Sequence, residues 1–478
     1  MKSKGTPSPP IAAIRPHGPG TSFVWYGDCC SGIAGGANEA NFAAVNAVFQ
    51  RLDILPDATF FIGDSILGGD IPADEFRAQW RYWIDREMAW HRDLAQSIPQ
   101  YHVTSNHNTT TETGETVFRE IHADLPRNGP ADQRGLTYWI RDDDFFYVFV
   151  NTNFSGLGGQ GHVEHEWLDM ALSAHADARY KLVIGHHPIW GVNGYDLYPL
   201  WRVDPSEGEP FWEVLVRHGV FAYVCSHILA YDVQVHEGVL QVCTGGAGTY
   251  GMRLGLMPEP CEYFHLIQGA IDASGLRYQV LDTDGNAREW LRWPEPALET
   301  NEHALPSAGD FPAAPDFNDT WIARFRFKGI VHAAEDAQTM LCGWDVHEGP
   351  ETIWIGIGAG NRLVVQLVPR AGHGAQRWYG PTLPVGEAFD LEVGLHSGMG
   401  PGGVLVRAPG GRWSSLQATS ARGAEALSWP DAWAIGHGQS GPEDRPFQDS
   451  HVRVASDIRS IAFADLAAPE PVLDLVAD

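Results

Sequence analysis

Positive charge is scarce in this chain: 32 Lys and Arg stand against 60 Asp and Glu, a formal net charge of −28. Nucleic acids and anionic lipid surfaces are held by Lys and Arg neutralisation, so this balance argues against either as the main partner. An anionic substrate needs something local and positive to outweigh the global field, and a metal ion does that. Long apolar runs are missing too. No stretch approaches the roughly 20 apolar residues of a membrane span. Met1–Gly20 holds Lys2, Lys4 and five prolines but no apolar core of a secretion signal. The expectation is a cytoplasmic chain, with export by a leader removed ahead of Met1 left open. Cysteine is sparse, at six in 478 residues: Cys29, Cys30, Cys225, Cys243, Cys261 and Cys342. They impose no disulfide framework. Absent as well are the Gly-x-x-x-x-Gly-Lys-Ser/Thr phosphate loop and the His-Glu-x-x-His zinc helix. His162-Val-Glu-His165 is only superficially like the latter and reads as the polar start of a helix.

What is present is the composition of a folded protein, 44% hydrophobic and 11% aromatic, long enough for two domains. Short apolar runs at Ser22–Tyr26, Thr59–Ile62, Gln100–Val103, Phe145–Val150, Tyr180–Ile184, Val220–Cys225 and Leu240–Cys243 read as strands. Amphipathic stretches between them predict helices over Asn38–Leu52, about Pro72–Ala95, and Val163–Ser173, the last with Trp167, Met170 and Ala171 on one face. Strands interleaved with helices predict an α/β domain. Between Trp293 and Phe317 five prolines fall in a stretch without periodicity, which reads as a linker. Beyond it, alternation takes over: Trp321, Ala323, Phe325 and Phe327 share one face, opposite Arg324, Arg326 and Lys328. Leu363, Val365 and Leu367 repeat the pattern, and Ala408–Arg412 reads as a hairpin turn. The expected division is a disordered segment over 1–19, an α/β domain over 20–293, a proline-rich linker over 294–316 and an all-β sandwich over 317–478.

The chemistry lies in where polar residues fall against the strands. Asp28 follows Ser22–Gly27, Asp64 follows Thr59–Gly63, Asn106 and His107 follow Gln100–Ser105, His186 and His187 follow Lys181–Gly185, and His227 follows Phe221–Ser226. None of these would be chosen for packing. Sites in open α/β sheets form at the carboxyl ends of the strands. Asp, Asn and His arriving there together make a hard-to-borderline metal site. Trp190, Asn193 and Tyr195 follow the His-His-Pro, where a loop either lines a substrate pocket or is anchored by its aromatics.

The order and wording of these segments resemble the calcineurin-like metallophosphoesterases, especially the purple acid phosphatase-like branch. The matching segments are Gly27-Asp28-Cys29-Cys30, Gly63-Asp64, Ser105-Asn106-His107-Asn108, Gly185-His186-His187-Pro188 and Ser226-His227-Ile228-Leu229, spread over roughly residues 20–293. The resemblance implies a metallophosphoesterase-type β-sandwich core flanked by helices. It also implies one or two divalent or trivalent metal ions (Zn, Fe or Mn) per chain, which polarise a phosphate ester and supply the attacking hydroxide. Asp64 would bridge the metals, with Asn106, His186 and His227 completing the second position. His107, with Asn106, would act on the substrate as proton donor or charge stabiliser, and His187 is expected among the substrate-binding residues with Trp190, Asn193 and Tyr195. The first position is altered. Asp28, Asp64 and a thiolate from Cys30 could hold it, but Leu229 replaces a histidine and ligates nothing. Asn108 stands where the family places the acidic partner of its histidine.

The expected function is therefore metal-dependent hydrolysis of a small-molecule phosphate ester. Leu229 and Cys30 keep two rivals open: a scaffold that has lost catalysis, and a one-metal hydrolase of a non-phosphate ester. The C-terminal region loosely resembles laminin-G/concanavalin-like, jelly-roll-like sandwiches, through Phe317–Phe327, Ile353–Val368 and Trp433–Gly438. That resemblance makes a glycan the candidate ligand there, beside a packing or dimerisation role.

Overall fold

The protein is described by a computed structural model over residues 9–455, apart from 95, 196–200, 252–259, 295–301, 305–307, 312–320, 332–336, 346–350, 369–374, 419–428, 437–444 and 447–452. The described residues form two units. The first holds residues through Tyr231 together with Val239–Pro294, and the second Asp232–Gly238 with the described residues beyond 301. No helix among the described residues is long and apolar enough to cross a membrane.

The first unit is mixed α/β. One sheet has the order β12 (Ala287–Trp293), β11 (Gly275–Asp282), β10 (His265–Asp272), β1 (Gly20–Tyr26), β2 (Ala58–Phe61), β3 (Gln100–His102). β1, β2 and β3 are parallel, and β10 to β12 add an antiparallel meander beside β1. The other sheet carries β4 (Tyr138–Asp142), β5 (Phe145–Phe149), β6 (Tyr180–Ile184), β7 (Ala222–Cys225) and β9 (Val239–Thr244) in that order, parallel from β5 on. β8 (Tyr231–His236) falls mostly in the second unit. β5, β6 and β7 are buried along their length, which is why they read as continuous apolar runs. Each expected strand is found, its limits shifted by at most two residues.

Helices cover the parallel strands. α1 (Ala37–Phe49) turns Phe42, Val45, Val48 and Phe49 inward. The long helix expected over Pro72–Ala95 is instead α2 (Ala73–Tyr82), a π-turn over Trp83–Glu87 and α3 (Ala89–Arg92), with residue 95 outside the described residues. A π-turn takes an extra residue and so rotates the face that α3 presents. Trp83 stays in the core, and the Glu87 carboxylate comes to accept hydrogen bonds from Ser31 Oγ and the Gly32 N–H, the latter at 3.0 Å. α4 (Glu112–Ile121) and α6 (Pro205–Arg217) were not expected, although both carry start signals: Thr111 caps α4, and Asp204 caps α6 with a proline directly after it. α5 (Glu166–Ala174) buries Leu168, Ala171 and Leu172. Met170, expected on its inner face, is 64% exposed. The i, i+3, i+4 set that packs is therefore shifted by one residue from the expected one, Leu168, Ala171 and Leu172 in place of Trp167, Met170 and Ala171.

Two expected boundaries look different in the structure. Residues 1–8 of the N-terminal segment lie outside the described residues, but the stretch after them is held. The Ile11 N–H donates to the Arg51 carbonyl at 2.7 Å, the Ile14 N–H to Gln268 Oε1 at 2.8 Å, and the His17 N–H to Asp272 Oδ2 at 2.6 Å. The acceptors lie more than 200 residues away for Ile14 and His17, beyond the reach of local pattern. Most of the linker at 294–316 is outside the described residues. Within it, Glu302–Ala304 and Ala308–Asp310 form the short strands β13 and β14, paired with Arg453–Ala455 and Ala432–Ile435.

The second unit is all β but for 3-10 turns among its described residues. Its two sheets share one apolar core. Trp321, Ala323, Phe325 and Phe327 of one sheet meet Ile353, Ile355, Leu363, Val365 and Leu367 of the other. The alternation seen in the sequence faces this core, and Ala408–Arg412 joins Val404–Arg407 to the Ser414–Ser415 pair.

Candidate metal centre

Five parallel strands deliver the polar residues to one place. Asp28 and Cys30 follow β1, Asp64 follows β2, Asn106 and His107 follow β3, His186 and His187 follow β6, and His227 follows β7. The backbone there is unusual. Asp28 (φ 60°), Cys30 (φ 39°), Asp64 (φ 48°) and His227 (φ 68°) are four of the seven described non-glycine residues in the left-handed region. Such conformations cost about 1–3 kcal/mol each and gather at functional sites. They are held by cross-bonds: the Cys30 N–H donates to the Asp64 carbonyl at 2.6 Å, and the His227 N–H to Asp28 Oδ2 at 2.9 Å. Two glycines make room. A Cβ at Gly63 would lie 2.4 Å from His186 Nδ1, and one at Gly27 2.0 Å from Ser226 Oγ.

His186 is oriented before any ion arrives. Its Nδ1 donates to the Ile62 carbonyl at 2.8 Å, which leaves Nε2 as the ligating atom. That Nε2 lies 2.9 Å from Asn106 Oδ1 and 3.4 Å from Asp64 Oδ1, and His227 Nδ1 lies 3.1 Å from the same Asn106 oxygen. Two nitrogens and two oxygens thus converge from four strands. Burial pushes the Asp64 carboxyl up, but the imidazoles of His186, His107 and His227 outweigh it and hold the carboxyl well below its usual range. Asp28, fully buried beside it, is pushed well up by burial and then by the Asp64 charge. Two buried carboxylates this close cannot both ionise without a cation between them, so the donor set fits a metal ion.

On the other side, Cys30 Sγ lies 3.8 Å from Asp64 Oδ2, and burial followed by the Asp64 and Asp28 charges pushes its thiol up. A cation reverses that logic. Asp28, Asp64 and His186 form one potential ligand group, Cys30, Asp64 and His107 a second, and His186, His187 and His227 a third. Cys29 is turned away, its thiol donating to the Ser65 carbonyl at 3.0 Å. Leu229 is half-buried and lines a cleft of about 360 Å³ with Gly245, Gly246, Thr249, Tyr263 and Arg288.

His107 stands at the mouth, its side chain 35% exposed. Nδ1 lies 2.5 Å from the Leu67 carbonyl and Nε2 3.9 Å from Asp64 Oδ2. Its partner is therefore a backbone carbonyl. Asn108 is buried and accepts from the Ile66 N–H at 3.3 Å instead. His187 is entirely buried. Asn193 and Tyr195 are buried as well, Tyr195 donating to Glu262, while the half-buried Trp190 packs edge-on against Trp212 at 5.8 Å. Tyr195 and Trp190 thus tie their loop to neighbouring side chains. Sequence reasoning placed Glu87 only by its helical spacing in the Pro72–Ala95 stretch, not by its grip on Ser31 and Gly32 beside Cys30, and did not name Gln160, whose Nε2 lies 3.4 Å from His227 Nε2. Nothing local marks either one, although Gly-rich 158–161 marks a turn.

No family model and no curated protein matches the chain. Solved structures similar in fold to part of it include a purple acid phosphatase from yellow lupin (Lupinus luteus) seeds. That match has 16% identity and a TM-score of 0.43, and covers 58% of this chain and 54% of that one. Another is GAP50, the anchor in the inner membrane complex of Plasmodium, at 12% identity and TM-score 0.40, covering 57% and 88%. A third is a putative 5'-nucleotidase from Staphylococcus aureus, at 13% identity and TM-score 0.35, covering 58% and 55%. The matches thus span little more than half of the lupin and staphylococcal proteins.

Proposed function

We propose that the first unit is a metal-dependent hydrolase of phosphate esters. The observation that carries this is the convergence of Asp64, Asn106, His186 and His227, with His186 held on the Ile62 carbonyl so that Nε2 faces the two oxygens. These four would hold one ion, and Asp28, Cys30 and Asp64 a second, weaker one; zinc, iron and manganese are the candidates. A bound metal supplies Lewis-acid polarisation of the phosphoryl group and a more acidic water. His107 presents its Nε2 at the mouth to donate a proton or hydrogen bond to the leaving oxygen, with Nδ1 fixed on Leu67. The Asn106 amide orients the substrate beside it.

The test is elemental analysis of the purified chain together with a panel of phosphomonoesters and phosphodiesters. Bound metal and turnover of at least one ester, with kcat reduced about 100-fold or more in His107→Ala, are expected. A metal-replete protein inert on the whole panel overturns the reading. Leu229 favours a second reading, a one-metal hydrolase of a non-phosphate ester, and carboxylic esters in the same panel decide between the two. A chain inert on every ester leaves the scaffold. For the second unit we propose a concanavalin-like, jelly-roll-like sandwich with a glycan as ligand. This stands on architecture alone. Absence of binding across a glycan array would remove it.

A further inference from the structure

One buried group has no part in the proposed chemistry. His187 is 0% exposed, and its Nε2 is buried without a hydrogen-bond partner. The residue is held on three sides. Its N–H donates to Thr152 Oγ1 at 3.1 Å, the same hydroxyl lies 2.8 Å from Nδ1, and the Tyr223 hydroxyl donates to its carbonyl at 2.7 Å. With Nδ1 engaged by Thr152, the ring has one atom left to offer. The His187 ring lies 4.3 Å from that of His227 and 5.0 Å from that of His186, centroid to centroid. One nitrogen from each of the three falls within 4.8 Å of the others. A buried ring nitrogen left unpaired carries its full desolvation cost with nothing to offset it. A cation shared with His186 and His227 removes that cost.

The Asp28 and Cys30 side of the centre gains no imidazole from position 229, because Leu229 has no donor and lines a cleft instead. We infer that His187 is a third imidazole ligand, drawing a single metal ion into a nitrogen-rich corner of His186, His187 and His227, with oxygen from Asn106 or Asp64. This rests on the reading of the site as a metal centre and deepens it. Three imidazoles match the ligand count of a catalytic zinc site. Imidazole-rich sites suit zinc, iron and copper, whereas carboxylate-rich ones suit manganese and magnesium. The site should accordingly prefer zinc or cobalt over manganese.

The test uses the full chain loaded with Co2+. X-ray absorption should count three imidazoles on the metal in the wild type and two in His187→Asn. In a Cys30→Ala background, which removes the native thiol near the site, His187→Cys should gain a thiolate-to-cobalt charge-transfer band. A residue that only supports the ligands from behind gives no such band. Two imidazoles in a metal-replete wild type, or a metal-replete His187→Cys protein without the band, overturns the assignment while leaving the metal centre standing. Should the Cys variant fail to fold, the wild-type count decides. A wild type that binds no divalent ion overturns both this inference and the hydrolase reading.

Discussion

Leu229 has no atom that can bind a cation, yet it stands on the wall of a cleft of about 360 Å³ with room for a larger polar ring. Leu229→His should add a ligand on the Asp28 and Cys30 side and raise bound metal from about one ion per chain towards about two. Elemental analysis of the two proteins checks this, and an unchanged ratio contradicts it. On the other side of the site, the orientation of His186 depends on a residue with no side chain. Gly63 has φ 93°, and a Cβ there would meet His186 Nδ1 at 2.4 Å. Gly63→Ala therefore combines left-handed strain with overpacking, and should destabilise the protein by about 2–4 kcal/mol. Urea unfolding reads the loss, and metal affinity should fall with it, because the Nδ1 contact to the Ile62 carbonyl is displaced.

Among the elements, the π-turn over Trp83–Glu87 matters most to the site. It keeps Trp83 in the core while sending Glu87 to the loop that carries Cys30. Burial pushes the Glu87 carboxyl up, against the hydrogen bonds from Ser31 and Gly32 that favour its charge. Glu87→Ala leaves Ser31 and the Gly32 N–H without this acceptor. A loss of about 1–3 kcal/mol is expected. Hydrogen exchange should quicken at residues 29–32 but not at the His186 strand. Uniform acceleration across the unit would show that the turn supports the core and not the loop.

The whole molecule contains histidines that burial keeps from protonating until well below their ordinary range. Burial lowers His122 to about 3 and both His91 and His265 to about 4. In the unfolded chain each returns to about 6.5. Between those values the unfolded state binds more protons, so stability is full above about pH 6.5 and declines as pH falls towards the folded values. Each such histidine contributes a slope of about 1.4 kcal/mol per pH unit in that window. Urea midpoints at pH 7.5 and 5 should differ accordingly. His122→Phe, placed among Trp80, Phe118 and His102, should flatten the dependence by about one histidine's share. A midpoint that is level across this range in the wild type would show these rings to be solvated.

Local pattern alone determined β1, β2, β3, β5, β6, β7 and β9, though not β4 or the β10 to β12 meander, together with the all-β character of the second unit and the polar residues at the strand ends. Apolar runs of strand length, alternation, and Asp, Asn or His directly after a run are properties of neighbouring residues, and they need no knowledge of the fold. Asp28, Asp64, Asn106, His186 and His227 were legible for that reason. The rest depended on contacts distant in sequence. Glu87 acts on Ser31 across 56 positions, and His186 is oriented by Ile62 across 124. The inward rotation of Leu168 over Met170, the burial of His187, Asn193 and Tyr195, and the left-handed backbone at Cys30 follow from packing between elements, which no single segment encodes. Whether a polar residue meets solvent, a partner or a cation is set by what the other strands bring to it, and only the tertiary structure decides that.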